Sequence, residues 1–87
     1  MKNNEEFNYV IKKVNAIFND VLENDDIKIN YETTVKDIDE WDSLSHIALV
    51  VSIEKSFQIR FTAKEIQDFK NVGEMCEGIL LKLGNKK

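Results

Sequence analysis

An all-α fold follows from three observations. The chain has no proline and only three glycines, whereas strand-and-turn folds use both freely. Apolar residues recur at spacings of three and four through its long stretches. The alternating stretch Ile27, Ile29 and Tyr31 reads as extended loop, since a lone strand with no partner is not stable in water. The expectation is a small antiparallel four-helix bundle, three longer helices plus a short third helix, with a long first loop. Eighty-seven residues make one domain, burying only roughly 60–65% of its unfolded surface.

The first helix is expected at about residues 4–22. Phe7, Val10, Ile11, Val14, Ile17, Phe18, Val21 and Leu22 form one apolar side, with Lys12, Lys13, Asn15 and Asn19 between them. Residues 23–42 lose the period, and the acidic, turn-prone Glu23-Asn24-Asp25-Asp26 ends the helix. A loop this long needs pins in a compact domain. Val35 and Ile38 are the expected ones, with Thr34 capping a single turn through Asp37 and Trp41 as a partly buried anchor.

The second helix is expected over residues 43–57. Its apolar residues exceed one stripe. On a helical projection, Leu49, Val50, Ile53 and Phe57 share one side, and Leu44, Ile47, Ala48 and Val51 share the other. The first side is assigned to the core. The second is assigned to partners, as an exposed apolar patch. After an extended link, Thr62-Ala63-Lys64-Glu65 fits a capping box. It opens a short third helix at about 63–69, expected to bury Ile66 and Phe69. Asn71 then caps a fourth helix over about 72–83, with Val72, Met75, Cys76, Ile79, Leu80 and Leu83 inward. Gly73 and Gly78 each cost that helix about 1 kcal/mol against alanine. Gly84 stands where a helix stop belongs, and residues 84–87 read as a tail.

The organising stretch is Asp42-Ser43-Leu44. Asp42 suits an N-cap, because its carboxylate can accept from the free amides of the first turn. That leaves Ser43 at the first helical position, its hydroxyl in water. A helix start carries partial positive charge and unpaired N–H donors, so a phosphate ester there would sit in a favourable field. Ser43 is therefore read as a covalent attachment point and not a nucleophile; the plainer alternative is an ordinary helix-start serine. His46 makes no triad with it, since neither an orienting acid nor an oxyanion hole is in sight. A partly exposed histidine without a chemical role is expected, although His46 is placed to reach a group hung from Ser43. No residue is assigned a catalytic role.

This tripeptide follows an acidic loop and precedes an apolar helix closed by Phe57, Ile59 and Phe61. In that setting the chain resembles the acyl carrier protein family from about Phe7 to Leu83. The resemblance implies a covalent 4'-phosphopantetheine arm, taken from coenzyme A by a phosphopantetheinyl transferase and esterified to Ser43 between Asp42 and Leu44. The arm's thiol would hold an acyl group as a thioester for acyl-loading and acyl-transfer enzymes, on a protein expected to be monomeric. By position, Val50, Ile53, Ile66, Phe69 and Met75 would line the space an acyl chain enters, a chain gaining about 0.8 kcal/mol per buried methylene. Leu44, Ile47 and Val51, with the acidic Asp37, Asp39 and Glu40, make the expected partner face.

One feature departs from the family. Its members in primary fatty-acid synthesis carry several acids along the second helix, and here Glu54 stands alone. A dedicated pathway fits better: an acyl or aminoacyl donor for modifying a sugar, a polysaccharide or a secondary metabolite. A D-alanyl carrier, a peptidyl carrier and an unmodified helical interaction module are the alternatives.

Composition excludes other classes. A formal charge of -4 disfavours nucleic acid, whose phosphates call for a basic surface. One cysteine and one histidine cannot build an ordinary zinc site, and no metal is expected. Cys76 at core spacing reads as a small buried apolar residue. No apolar run approaches the roughly 20 residues that span a bilayer. The polar Met1-Lys2-Asn3-Asn4-Glu5-Glu6 is no secretory leader, so a cytoplasmic location is expected.

Overall fold

A computed structural model describes residues 4–84. The polar start (1–3) and most of the expected tail (85–87) lie outside the described residues. Four helices follow one another: α1 (Asn4–Val21), α2 (Ser43–Phe57), the short α3 (Ala63–Asp68) and α4 (Val72–Gly84). No strand occurs among the described residues, and the all-α expectation holds. α1 packs against both α2 and α4. The core is built from Val10, Val14, Ile17 and Phe18 of α1, Leu49, Ile53 and Phe57 of α2, and Val72, Met75, Cys76 and Ile79 of α4.

Helix ends are closed by local chemistry. Glu5 and Glu6 lie in the first turn of α1, where the helix dipole favours acids. At its far end the Asn24 amide donates back to the Asn19 carbonyl at 3.0 Å, and Glu23 takes a left-handed φ of 56°. α2 closes the same way, with Gln58 at φ 58° and the Ile59 amide donating to Glu54 O at 3.1 Å. Such closures usually use glycine; neither site has one, and each non-glycine residue there bears some steric cost. Thr62 and Glu65 form the expected capping box at α3. Asn71 Oδ1 accepts from the Glu74 amide at 2.8 Å, but Glu74 reaches back to the Lys70 amide, not to the cap residue.

The long loop is pinned differently from expectation. Ile38 is buried, but Val35 is 45% exposed. A single 3-10 turn, Val35–Asp37, capped by Thr34 as expected, leaves Val35 outside and brings Ile38 in. Ile27, Thr33 and Trp41 are the other buried anchors. Polar anchoring comes from α1. Asn15 Nδ2 and Asn19 Nδ2 both donate to the Ile27 carbonyl at 3.0 Å, and the Ile29 amide donates to Asn15 Oδ1 at 2.7 Å. These two asparagines, one turn apart, hold the loop in the way a strand partner would.

The loop also caps α4. The Val72 amide donates to Thr33 O at 2.9 Å and the Gly73 amide to Tyr31 O at 2.8 Å, satisfying two of the amides a helix start leaves unpaired. This close approach explains Gly73: a Cβ there would lie 2.9 Å from the Tyr31 carbonyl oxygen, a backbone atom that cannot swing aside. We expect Gly73→Ala to destabilise the fold by about 1–2 kcal/mol, although alanine is the better helix former by about 1 kcal/mol. A urea midpoint that rose in the variant would show that loop and helix are not so close.

Candidate functional site

The corner between the long loop and α2 is built by two serines with opposite fates. Asp42, in extended backbone, caps α2: its Oδ1 accepts from the Ser45 amide at 2.9 Å. Ser45 answers, its Oγ accepting from the Asp42 amide at 2.8 Å and lying 2.9 Å from the Glu40 carbonyl, to which it donates. The Ser45 hydroxyl is thus committed to the structure. Ser43 is the first residue of α2 and is exposed, and its side chain makes no hydrogen bond among the described residues. Its hydroxyl stands at the positive end of a four-turn helix, unengaged.

Hydrogen bonds from the Ser45 backbone and side chain, with a smaller one from the Leu44 amide, hold the Asp42 carboxyl below its ordinary value of 3.8. The sign follows directly. A depressed carboxylate contributes stability above its unfolded pKa and loses it as pH falls through the folded one. We expect the Ser45 amide resonance to stay fixed from neutral pH down to about the ordinary carboxylate range, and to titrate only below it, as the first turn of α2 loosens. A Ser45 amide that titrated above that range would overturn the cap.

Along α2 the two apolar sides separate. Leu49, Val50, Ile53 and Phe57 are buried. Leu44, Ile47 and Val51 are 84%, 54% and 42% exposed, a bare apolar strip that begins beside Ser43. The acidic Asp37, Asp39 and Glu40 are exposed upstream. Two of them also serve the loop: Asp37 closes the Thr34 capping box, and Glu40 accepts from Asn24 Nδ2 at 3.0 Å. Glu54, the lone acid of α2, is half-buried and turned to the chain beyond the helix, its Oε2 accepting from the Phe61 amide at 2.8 Å. Lys55 and Arg60 are exposed beyond Val51, and with Val51 and Glu54 they line a shallow groove. Counting the acids of α2 could not show that Lys55 and Arg60 share a groove with Val51.

Trp41 corrects the expectation of a partly buried anchor. It is 3% exposed, edge-on to Phe18 of α1 at 4.9 Å between ring centroids. Its Nε1–H donates to His46 Nδ1 at 3.2 Å. His46 is half-buried, and its Nε2 lies 3.0 Å from the Ile66 carbonyl. Indole N–H can only donate and a carbonyl can only accept, so the pair fixes the Nε2–H tautomer. Both ring nitrogens are engaged away from Ser43, and among the described residues no general base bonds that hydroxyl. Sequence reasoning missed this bridge, because its acceptor lies twenty residues downstream.

Among the five acyl-space candidates, Val50, Ile53 and Met75 are fully buried. Ile66 and Phe69 are only half-buried, against the expectation that α3 would bury them; a helix of six residues has no inner face long enough. Phe69 packs edge-on against Phe61 at 5.1 Å, and both rings press on Gly78. Burial, with Glu77 beside it, pushes the Cys76 thiol up to about 12, so it is inert at neutral pH. Among the described residues no group of acids, histidine and cysteine could hold a metal, and no helix is long and apolar enough to cross a membrane.

Comparison with known proteins bears on this geometry. A family model described as "Phosphopantetheine attachment site" matches residues 12–79. The solution structure of a holo acyl carrier protein from Geobacter metallireducens is 40% identical, with a TM-score of 0.83 over 88% of each chain. The crystal structure of an acyl carrier protein from Thermotoga maritima is 24% identical, with a TM-score of 0.87 over 99% of this chain and 100% of that one; at that identity it supports the fold alone. No curated protein matches. An exposed, unengaged hydroxyl at a helix start suits a phosphate ester, so the residues present fit the family's covalent group, 4'-phosphopantetheine. With most of its length matched, Asp42-Ser43-Leu44 included, the chain belongs to the phosphopantetheine-binding acyl carrier protein family, whose members are carriers and not enzymes.

Proposed function

We propose that the whole chain is one carrier domain that holds acyl intermediates as thioesters on a 4'-phosphopantetheine arm esterified to Ser43, and presents them to partner enzymes. The observation that carries this is the contrast between the two serines: Ser45 is locked into the cap, while the Ser43 side chain is exposed and without a partner among the described residues. The arm supplies the thiol; the protein supplies a fixed hydroxyl, a helix dipole and a face to be recognised. Asp42 and Leu44 flank the attachment, and the chain acts as a monomer in the cytoplasm.

The partner face in this reading is Leu44, Ile47 and Val51, with Asp37, Asp39 and Glu40 at the arm end. Its lower end, Lys55 and Arg60, supports partners other than those that read a uniformly acidic helix, since Glu54 is turned to the Phe61 amide. That favours a specialised pathway in which an acyl group is donated to a sugar, a polysaccharide or a secondary metabolite. Val50, Ile53, Ile66, Phe69 and Met75 would surround a sequestered acyl chain once α3 gives way.

The test is direct. Apo-protein incubated with coenzyme A and a broad-specificity phosphopantetheinyl transferase gains the mass of one arm, mapped by peptide mass to Ser43. No gain would return the chain to a helical interaction module. A gain followed by loading with D-alanine or another amino acid, and not with an acyl group, would make it an aminoacyl or peptidyl carrier.

A further inference from the structure

α3 is the least anchored helix. It has six residues and no fully buried side chain. Its neighbourhood is tied to the rest by Phe69, packed on Phe61 and Gly78, by the Glu65–Lys82 ion pair to α4 at 3.1 Å, and by the His46 bond to the Ile66 carbonyl at 3.0 Å. The last is a cap supplied from another helix. Ile66 is among the final residues of α3, whose carbonyls lack an intrahelical donor. The amide one turn on, Lys70, is taken by Glu74 Oε1 at 3.0 Å.

His46 is itself held from behind. Trp41 donates to its Nδ1 and is wedged against Phe18, so the imidazole is fixed relative to α1 and presents Nε2–H to α3. His46 also lies one turn beyond Ser43, on the flank of α2 that continues to Val50 and Ile53. Any apolar group that leaves Ser43 for the core follows this flank. Val50, Ile53 and Met75 are fully packed, so admitting such a group requires α3 to move off α2, and that motion breaks the His46–Ile66 bond.

We propose that His46 is a positioning residue: a latch that holds α3 against α2 and sets how readily an apolar thioester cargo enters the core. The inference rests on the carrier reading for the cargo, but the latch itself is a property of the apo-protein and is measured there. His46→Asn keeps an acceptor near the Nδ1 position for Trp41 and removes the donor to α3. His46→Gln keeps a donor near the Nε2 position.

Amide hydrogen exchange of the apo-proteins, read at Glu65 and Ile66 against α1 and α2, should accelerate about three- to tenfold in His46→Asn, the range of one net hydrogen bond. His46→Gln should stay close to the parent. With an octanoyl arm loaded from octanoyl coenzyme A, His46→Asn should slow hydroxylamine cleavage of the thioester by a similar factor, because the cargo spends more time inside. Equal acceleration in both variants would overturn the latch, as would acceleration spread over all four helices or none at α3. Faster exchange with unchanged cleavage would reduce His46 to a helix cap. A chain that accepts no arm at all fails the carrier reading and leaves the exchange result standing.

Discussion

A Ser43→Ala variant should come out of incubation with coenzyme A and a phosphopantetheinyl transferase at its unmodified mass, while the parent chain gains one arm. The loss should be complete, since the ester oxygen is removed. Stability should change by no more than about 0.5 kcal/mol: the Ser43 hydroxyl is exposed and unpartnered, and alanine is a good helix former. Ser45→Ala is the informative control. It deletes the hydroxyl that bonds the Asp42 amide and the Glu40 carbonyl, so it should cost about 0.5–1.5 kcal/mol and still accept the arm. Intact mass and a urea midpoint separate the two outcomes. An arm found on the Ser43→Ala chain would place the attachment elsewhere.

The largest stability effect is expected at Phe18→Ala, about 3–5 kcal/mol. Phe18 is fully buried and meets Trp41 edge-on, an arrangement contributing about 0.5–1.5 kcal/mol beyond area burial. At 0.05–0.15 kcal/mol per residue, a chain this size has about 4–13 kcal/mol in all, so the variant would stand near the edge of unfolding. The loss is not confined to the core. Trp41 ends the loop that delivers Asp42 and Ser43, so the attachment corner should loosen together with α1. Val35→Ala makes the comparison: at 45% exposure it should cost less than about 0.5 kcal/mol. A Phe18→Ala chain that kept its guanidinium midpoint would show that the ring is not packed as described.

Much of this corner was legible in residue order. Asp42 as cap and Ser43 as first helical residue needed only the preferences of helix starts. The split of α2 into a buried and a bare side needed only its period, and Leu49, Val50, Ile53 and Phe57 are the buried residues. An apolar residue in a loop reads as a pin, whereas the 3-10 turn decides which of Val35 and Ile38 faces in. Ile66 stays half-exposed because α3 is too short to have a protected face, and Phe69 because it lies just past the end of that helix. The depth of Trp41 is not legible locally, because its burial depends on Phe18, twenty-three positions earlier.

Residue order alone sets the helices, their caps and the two faces of α2, because those rest on contacts between residues three or four apart. The use made of the polar residues between them is settled by the folded chain: Asn15 and Asn19 holding the loop, Tyr31 and Thr33 capping α4, Glu54 turned to Phe61, and His46 bridging Trp41 to Ile66. Most of these bonds join residues far apart in the chain. Each partner exists only after the chain has closed on its core, and no periodic pattern announces a donor waiting for it.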